Sequence, residues 1–271
     1  MVDVSLWAES FSRGNIPPFP CPHCEHGRLA LVNGQLKVEE PRYSEIARRE
    51  EDAWEPDWTI ERFYAVLKCG VSECGELVVM SGDTEVVEEI DEELRQNFIS
   101  YLRPRGMFPA PPVIKIPKNC PEDVVRELKQ SFQALWSDRS ACANRLRASL
   151  ERLLDDKRIK KYERTGPRKP LALAKRIGLF RKREQEALTR KLKGQKPEVI
   201  EYELKKDQRV VRIFDALRLL GNLGTHGEID RVSVLAAYQM YEVALQEIYG
   251  DTENVDRMVT RAIASRGKRV N

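Results

Sequence analysis

Four of the six cysteines in this 271-residue chain fall in two close pairs, Cys21-Pro-His-Cys24 and Cys69-Gly-Val-Ser-Glu-Cys74. Two thiolates on one tight turn can converge on a single ion, and two such turns complete the tetrahedral shell that zinc prefers. The pairing predicts one structural zinc held by Cys21, Cys24, Cys69 and Cys74. A catalytic zinc keeps a position open for water, whereas four cysteines close the shell. Other readings of the same residues are a redox Cys-x-x-Cys, buried free thiols, or replacement of one cysteine ligand by His23 or His26. A disulfide framework fits less well, because the N-terminus MVDVSLWAESFSRGNIPPFP has neither the basic segment nor the apolar core of an export signal. No run approaches eighteen apolar residues, so the expectation is a cytoplasmic protein with no membrane span. Cys120 and Cys142 stand alone, at a helix start and on an apolar helical face, and read as packing residues.

The pattern around the cysteines is that of short strands. Leu29–Val32 and Gln35–Val38 flank Asn33-Gly34, a dipeptide suited to a tight hairpin turn. Arg62–Lys68 and Glu76–Met80 suggest a second pair of strands joined through Cys69–Cys74. Between them, residues 41–58 carry one short helix around Ser44–Asp52. Proline density in residues 102–117 denies regular helix and predicts an extended linker that lies along a domain surface. Beyond it Pro121 opens a helix in which Val124, Leu128, Phe132 and Leu135 recur at helical spacing. The same periodicity runs through Cys142–Leu154, Val210–Leu220 and Val234–Ile248. A basic helical stretch covers 171–193 after a break at Thr165–Pro170. The expected fold class is α+β, with three parts: a zinc-ribbon-like β-rich module with its Pro-rich linker (1–118), an all-α bundle (119–250) and a basic C-terminal helix or tail (251–271).

Charge divides along the same line. Residues 1–120 hold 13 basic and 21 acidic side chains, residues 121–271 hold 33 and 22, and within 157–196 the count is 16 to 3. Such concentration favours a polyanionic partner. Lys157, Arg158, Lys160, Lys161, Arg168, Lys169, Arg181, Lys182 and Arg183 are the candidate nucleic-acid contacts, able to neutralise phosphates whatever the base sequence. The bland alternatives are that these charges solvate a long helix, or that the acidic N-terminal part covers them.

One further segment stands out, Arg218-Leu-Leu-Gly-Asn-Leu-Gly-Thr-His226, which contains the one histidine outside the cysteine region. Arg218, Asn222 and His226 could orient a ribose hydroxyl, transfer protons and stabilise a charged phosphorane, the minimum for RNA cleavage without metal. The simpler reading makes Gly221, Gly224 and Gly227 turn residues, with Asn222 and His226 bonding the helix ends beside them.

Phe19-Pro20-Cys21-Pro22-His23-Cys24, the Pro-rich bridge before Pro121, the Leu146–Leu154 helix and Gly221-Asn222 followed by Thr225-His226 together resemble the bacterial domain-of-unknown-function 4145 family. The resemblance covers most of residues 15–250. It implies an N-terminal cysteine-ligated zinc module joined to a helical domain similar to the HEPN (higher eukaryotes and prokaryotes nucleotide-binding) superfamily. Many members of that superfamily are dimeric ribonucleases, which implies a homodimer through the helical domain and a setting of antiphage defence or restriction. The HEPN ribonuclease motif places an arginine before its polar residue, and here Gly221 stands in that position. Arg218, three residues earlier, is the available substitute.

Three functions follow as expectations. The first is a zinc-stabilised binding or assembly component that engages RNA or DNA through the basic segment. The second is a metal-independent ribonuclease acting as a dimer, and the third is a protein–protein interaction module, with a defence or restriction component as partner.

Overall fold

A computed structural model describes residues 3–90, 96–163, 168–193, 197–226 and 229–250; for residues 191, 197–203, 206 and 224–226 it describes the backbone alone. The C-terminal tail expected at 251–271 lies outside the described residues, as does 165–167 of the predicted break. Five strands, β1 (Phe11–Ser12), β2 (Leu29–Glu39), β3 (Arg62–Cys69), β4 (Leu77–Ile90) and β5 (Gln96–Phe108), precede most of the helices. The helices are α1 (Arg42–Glu50), α2 (Glu122–Ser137), α3 (Arg139–Asp156), α4 (Leu173–Lys191), α5 (Pro197–His226) and α6 (Arg231–Tyr249). The fold is α+β. The described residues gather into two compact units, one formed within 3–113 with 129–142, the other within 114–128 with 143–250.

The first unit is built on a fully antiparallel sheet in the order β1-β5-β4-β3-β2. In β3, Phe63, Ala65, Leu67 and Cys69 are buried while Arg62, Tyr64 and Lys68 face out, the two-residue alternation of a half-buried strand. Val78 and Met80 of β4 and Leu102 and Met107 of β5 continue the same buried layer. An aromatic cluster closes it. Phe19 lies 5.5 Å from Trp7 and meets Trp136 edge-on at 5.6 Å between ring centres, and Trp7 and Trp136 are 5.8 Å apart.

Two local expectations do not survive. Asn33-Gly34 makes no hairpin: β2 is one strand, and both its halves pair with β3, Leu29–Leu31 against Leu67–Cys69 and Leu36–Glu39 against Arg62–Ala65. The residues between loop out of the ladder, and the positive φ of Gly34 (+71°) serves this irregularity. A two-stranded hairpin folded on itself would be marginal, whereas a strand added to the sheet has every second residue backed by a core. The Pro-rich stretch is likewise not all linker, because its first seven residues belong to β5, between β1 and β4. Pro104 is tolerated there at a register shift: Ser81 pairs with Gly106 and Gly82 with Pro104, so Arg105 is an extra residue. A side chain at position 82 would meet the Arg103 carbonyl at 2.1 Å, so only glycine fits opposite the bulge.

The second unit buries Val124 and Leu128 of α2, Leu146, Leu150, Leu153 and Leu154 of α3, Ile177 and Phe180 of α4, Phe214 and Leu217 of α5, and Val234, Tyr238, Tyr241 and Leu245 of α6. Phe180 and Phe214 pack with ring centres 5.4 Å apart and planes tilted by 47°, and Ser149 Oγ donates to the Tyr241 hydroxyl at 3.1 Å. Asp230 caps α6 by accepting from the Ser233 amide at 2.8 Å. Among the described residues no helix is long and apolar enough to cross a membrane.

A polar clamp ties the sheet unit together across the sequence. Glu61 Oε2 accepts from Arg13 Nη2 at 2.6 Å, Ser100 Oγ at 2.9 Å and Thr84 Oγ1 at 3.0 Å. Burial raises the cost of its charge, but these donors outweigh burial and hold the carboxyl below its ordinary value of 4.5. A depressed folded value contributes stability that is present above 4.5 and lost as pH falls through it. Glu61→Gln is expected to destabilise the protein by about 1 kcal/mol at neutral pH, and the gap from wild type should close below about pH 4 in pH-dependent denaturation; a gap unchanged by acid would show that the charge contributes nothing.

Candidate functional site

Each cysteine pair sits on its own turn. The first follows Phe19, whose carbonyl accepts from Leu29 N at 2.8 Å, and Pro20 bridges to Arg28. Inside that bridge Cys21 N donates to the Gly27 carbonyl at 3.0 Å. The second turn is the β3–β4 connection, where Cys69 N donates to the Glu76 carbonyl at 2.9 Å. Gly70 N donates to the Arg28 carbonyl at 3.0 Å and so joins the two turns through their backbones. Both reverse in the same way: the residue after each second cysteine takes left-handed φ, Glu25 at +58° and Gly75 at +57°.

The four Sγ atoms lie within 4.8 Å of one another. Cys21 and Cys74 are 3.7 Å apart, as are Cys24 and Cys69. A tetrahedral ion with bonds of about 2.3 Å to sulfur sets sulfur–sulfur edges of about 3.8 Å, so the set has the size of such a shell and can hold a metal ion. Gly27 is part of the fit. A Cβ there would stand 2.3 Å from Cys69 Sγ and 3.3 Å from Cys24 Sγ, so any larger residue fills the space between the thiols.

Backbone amides stabilise charge on these sulfurs. His23 N points at Cys21 Sγ at 3.4 Å and Gly27 N at Cys24 Sγ at 3.3 Å. The Gly27 amide, with help from His26, brings Cys24 down to about 6. The Val71 amide acts on Cys69 in the same sense, but burial and the three neighbouring thiols outweigh it and push Cys69 up to about 12. Cys74 is also raised, burial and the thiols of Cys21 and Cys24 overcoming the Glu76 amide. Four thiolates this close repel one another strongly, and a cation at their centre removes that cost. Neither histidine displaces a cysteine: both are exposed, and His23 Nδ1 lies 3.5 Å from Cys74 Sγ, beside the cluster. Cys120 and Cys142 are buried elsewhere, and burial raises Cys120 to about 11, a poor nucleophile.

The basic segment is less uniform than its composition. Arg158, Lys160, Arg168, Lys169, Arg181 and Lys182 are exposed. Lys157, Lys161 and Arg183 are partly committed: Lys157 pairs with Asp156 at 3.3 Å and covers the Tyr249 ring, Lys161 lies 3.9 Å from Asp155, and Arg183 pairs with Glu184 and donates to the Lys157 carbonyl. Arg176 is a strut. It is 2% exposed and bonds Asp155 at 2.6 Å and the Ile159 carbonyl at 3.2 Å, which locks α4 to the end of α3.

The Arg218–His226 segment is helical throughout, since α5 runs to His226, so Gly221 and Gly224 are not turn residues; Gly227 and the His226 side chain lie outside the described residues. Residues 218, 222 and 226 follow at four-residue steps on one face of this helix. Arg218 is half-buried and its Nε lies 3.3 Å from Asp215 Oδ1. Asn222 Oδ1 instead accepts from Nη1 of Arg147 on α3, at 2.5 Å. The Arg147 stem lies against Gly221, where a Cβ would come within 2.7 Å of Arg147 Cβ and 2.9 Å of its Cδ. Sequence reasoning missed both Gly27 and Arg147. A glycine in a helix interior costs about 1 kcal/mol relative to alanine and signals that something approaches closely, but nothing local names the visitor.

An antiparallel sheet bearing a four-cysteine metal-type cluster, followed by a helical region, defines the class of this protein. The family model described as domain of unknown function DUF4145 matches residues 129–269, and a second, DUF8608, matches residues 9–106. The chain belongs to the DUF4145 family. No curated protein and no solved structure matches it.

Gly27→Ala retains all four thiols and is expected to bind metal at least tenfold more weakly, read by competition with a chromogenic chelator. Wild-type affinity in this variant would show that the cradle plays no part in the site.

Proposed function

We propose that the four cysteines hold one structural zinc ion and that the protein binds nucleic acid through its second unit. Zinc is favoured over other metals because an all-thiolate tetrahedral set of this size suits a redox-inert ion of borderline softness. When bound, the ion supplies cross-linking of two turns that are 45 residues or more apart in sequence and no open position for chemistry.

The observation that carries the nucleic-acid reading is the set of exposed cations between residues 157 and 183. Among the described residues Arg158, Lys160, Lys169, Arg181 and Lys182 make no ion pair, although ion pairs occupy their neighbours Lys157, Lys161, Lys175 and Arg183. Arg168 adds a guanidinium over the Tyr162 ring at 4.4 Å. Cations left to solvent release counterions on meeting phosphates, a gain independent of base sequence. A place in a defence or restriction-type system rests on the family resemblance alone.

A second reading, metal-independent RNA cleavage by a dimer at Arg218, Asn222 and His226, is supported by the unbroken course of α5, which puts these residues on successive turns. It is the less favoured, because Asn222 Oδ1 is engaged by Arg147.

Salt-dependent binding of a labelled single-stranded oligonucleotide tests the first reading. Replacing Arg158, Lys160, Arg181 and Lys182 together by glutamine is expected to lower the slope of log affinity against log salt by about three. Binding that is absent in the wild type, or a slope untouched by the four substitutions, would direct attention to an acidic protein partner instead.

A further inference from the structure

The α3–α5 crossing at Gly221 brings a guanidinium and an amide together. Arg147 is laid along the α5 backbone by the absence of a side chain at Gly221. Its Nη1 takes Asn222 Oδ1, the single acceptor of that amide. What the pair then turns to its surroundings is donors: the remaining guanidinium N–H groups of Arg147 and the amide N–H groups of Asn222, which have no other partner among the described residues. One acceptor competes, Glu151 Oε1, 3.5 Å from Arg147 Nε in an i,i+4 pair on α3, and at that distance it is a weak one. Arg147 is 32% exposed and Arg218, one turn before Asn222, is 23% exposed, so the guanidiniums are reachable and yet held in place.

From this geometry we infer that Arg147 and Asn222, with Arg218 beside them on α5, form an oxyanion site that takes a phosphodiester group of the bound nucleic acid. The inference deepens the nucleic-acid reading and rests on it. A planar guanidinium fixed by one of its own hydrogen bonds offers its other N–H groups to phosphate oxygens with little rotamer entropy left to lose. The same fixing distinguishes it from the solvated lysines of the basic segment, which act as mobile point charges. Gly221 is the selecting residue: its missing side chain is what lets a residue 75 positions away in sequence reach Asn222. Arg218 contributes charge, and its 3.3 Å contact with Asp215 leaves most of its donors uncommitted.

The test measures anisotropy of a labelled single-stranded RNA across a salt series, with full-length wild type, R147A, R147K, G221A and the R147A/G221A double variant, each checked for helicity. Arg147→Ala is expected to weaken binding roughly five- to tenfold and to lower the salt slope by about 0.7 to 1. Arg147→Lys keeps the charge and should restore the slope while recovering only part of the affinity. Gly221→Ala, which retains the arginine but displaces it, should lose as much as R147A, and the double variant no more than either single one. A folded R147A with unchanged affinity and slope would overturn the inference and reduce Arg147 to a packing contact, leaving the basic-segment reading intact. Absence of salt-dependent RNA binding in the wild type would overturn that reading itself.

Discussion

The meeting of four sulfurs from two turns is the constraint on which the first unit depends. Cys21 and Cys24 precede β2, while Cys69 ends β3 and Cys74 precedes β4, so the cluster sits where three strands begin or end. Phe19, two residues before Cys21, is fully buried against Trp7 and Trp136, and the first turn is thus anchored on its other side by aromatic packing. Mutual repulsion among four thiolates makes this convergence unfavourable without a cation, while the amides of His23, Gly27, Val71 and Glu76 make the charged form affordable with one. Left-handed φ at both Glu25 and Gly75 shows that two turns of different length arrive at the same reversal.

How much of this could be read beforehand depended on whether the cause was local. Cys21, Cys24, Cys69 and Cys74 were legible because ligand chemistry demands particular residue types at short spacings. The helices α2, α3 and α6 were legible because their apolar faces repeat every three or four residues, and the structure buries Val124, Leu128, Leu146, Leu150, Tyr238 and Tyr241 as that repeat requires. Asn33-Gly34 misled because its turn preference is real but the same positive φ also suits a bulge, and pairing with β3 decides between them. Pro104 misled because proline is excluded from a regular ladder, and the licence for it, Gly82 opposite an extra residue, lies on another strand.

In the helical unit the least local contact was also the least legible. Gly221 and Asn222 attract notice as sequence, yet their environment is set by Arg147, reached only when α3 and α5 cross. The nine basic residues counted as one patch divide for a similar reason: Lys157, Lys161 and Arg183 find ion-pair partners, while Arg158, Lys160 and Lys182 stay in solvent, and Arg176, which lies in the same stretch but is not one of the nine, is buried against Asp155. Charge density in a sequence marks a region, and burial decides which of its charges remain available to a partner.

The central claim is that one ion, zinc, is held by these four thiolates and nothing else. X-ray absorption at the zinc edge on the purified full-length protein tests it directly. The account requires one zinc per chain with a single shell of four sulfurs at about 2.3 Å. A shell containing nitrogen or oxygen, or a well-folded protein carrying no zinc, would contradict it.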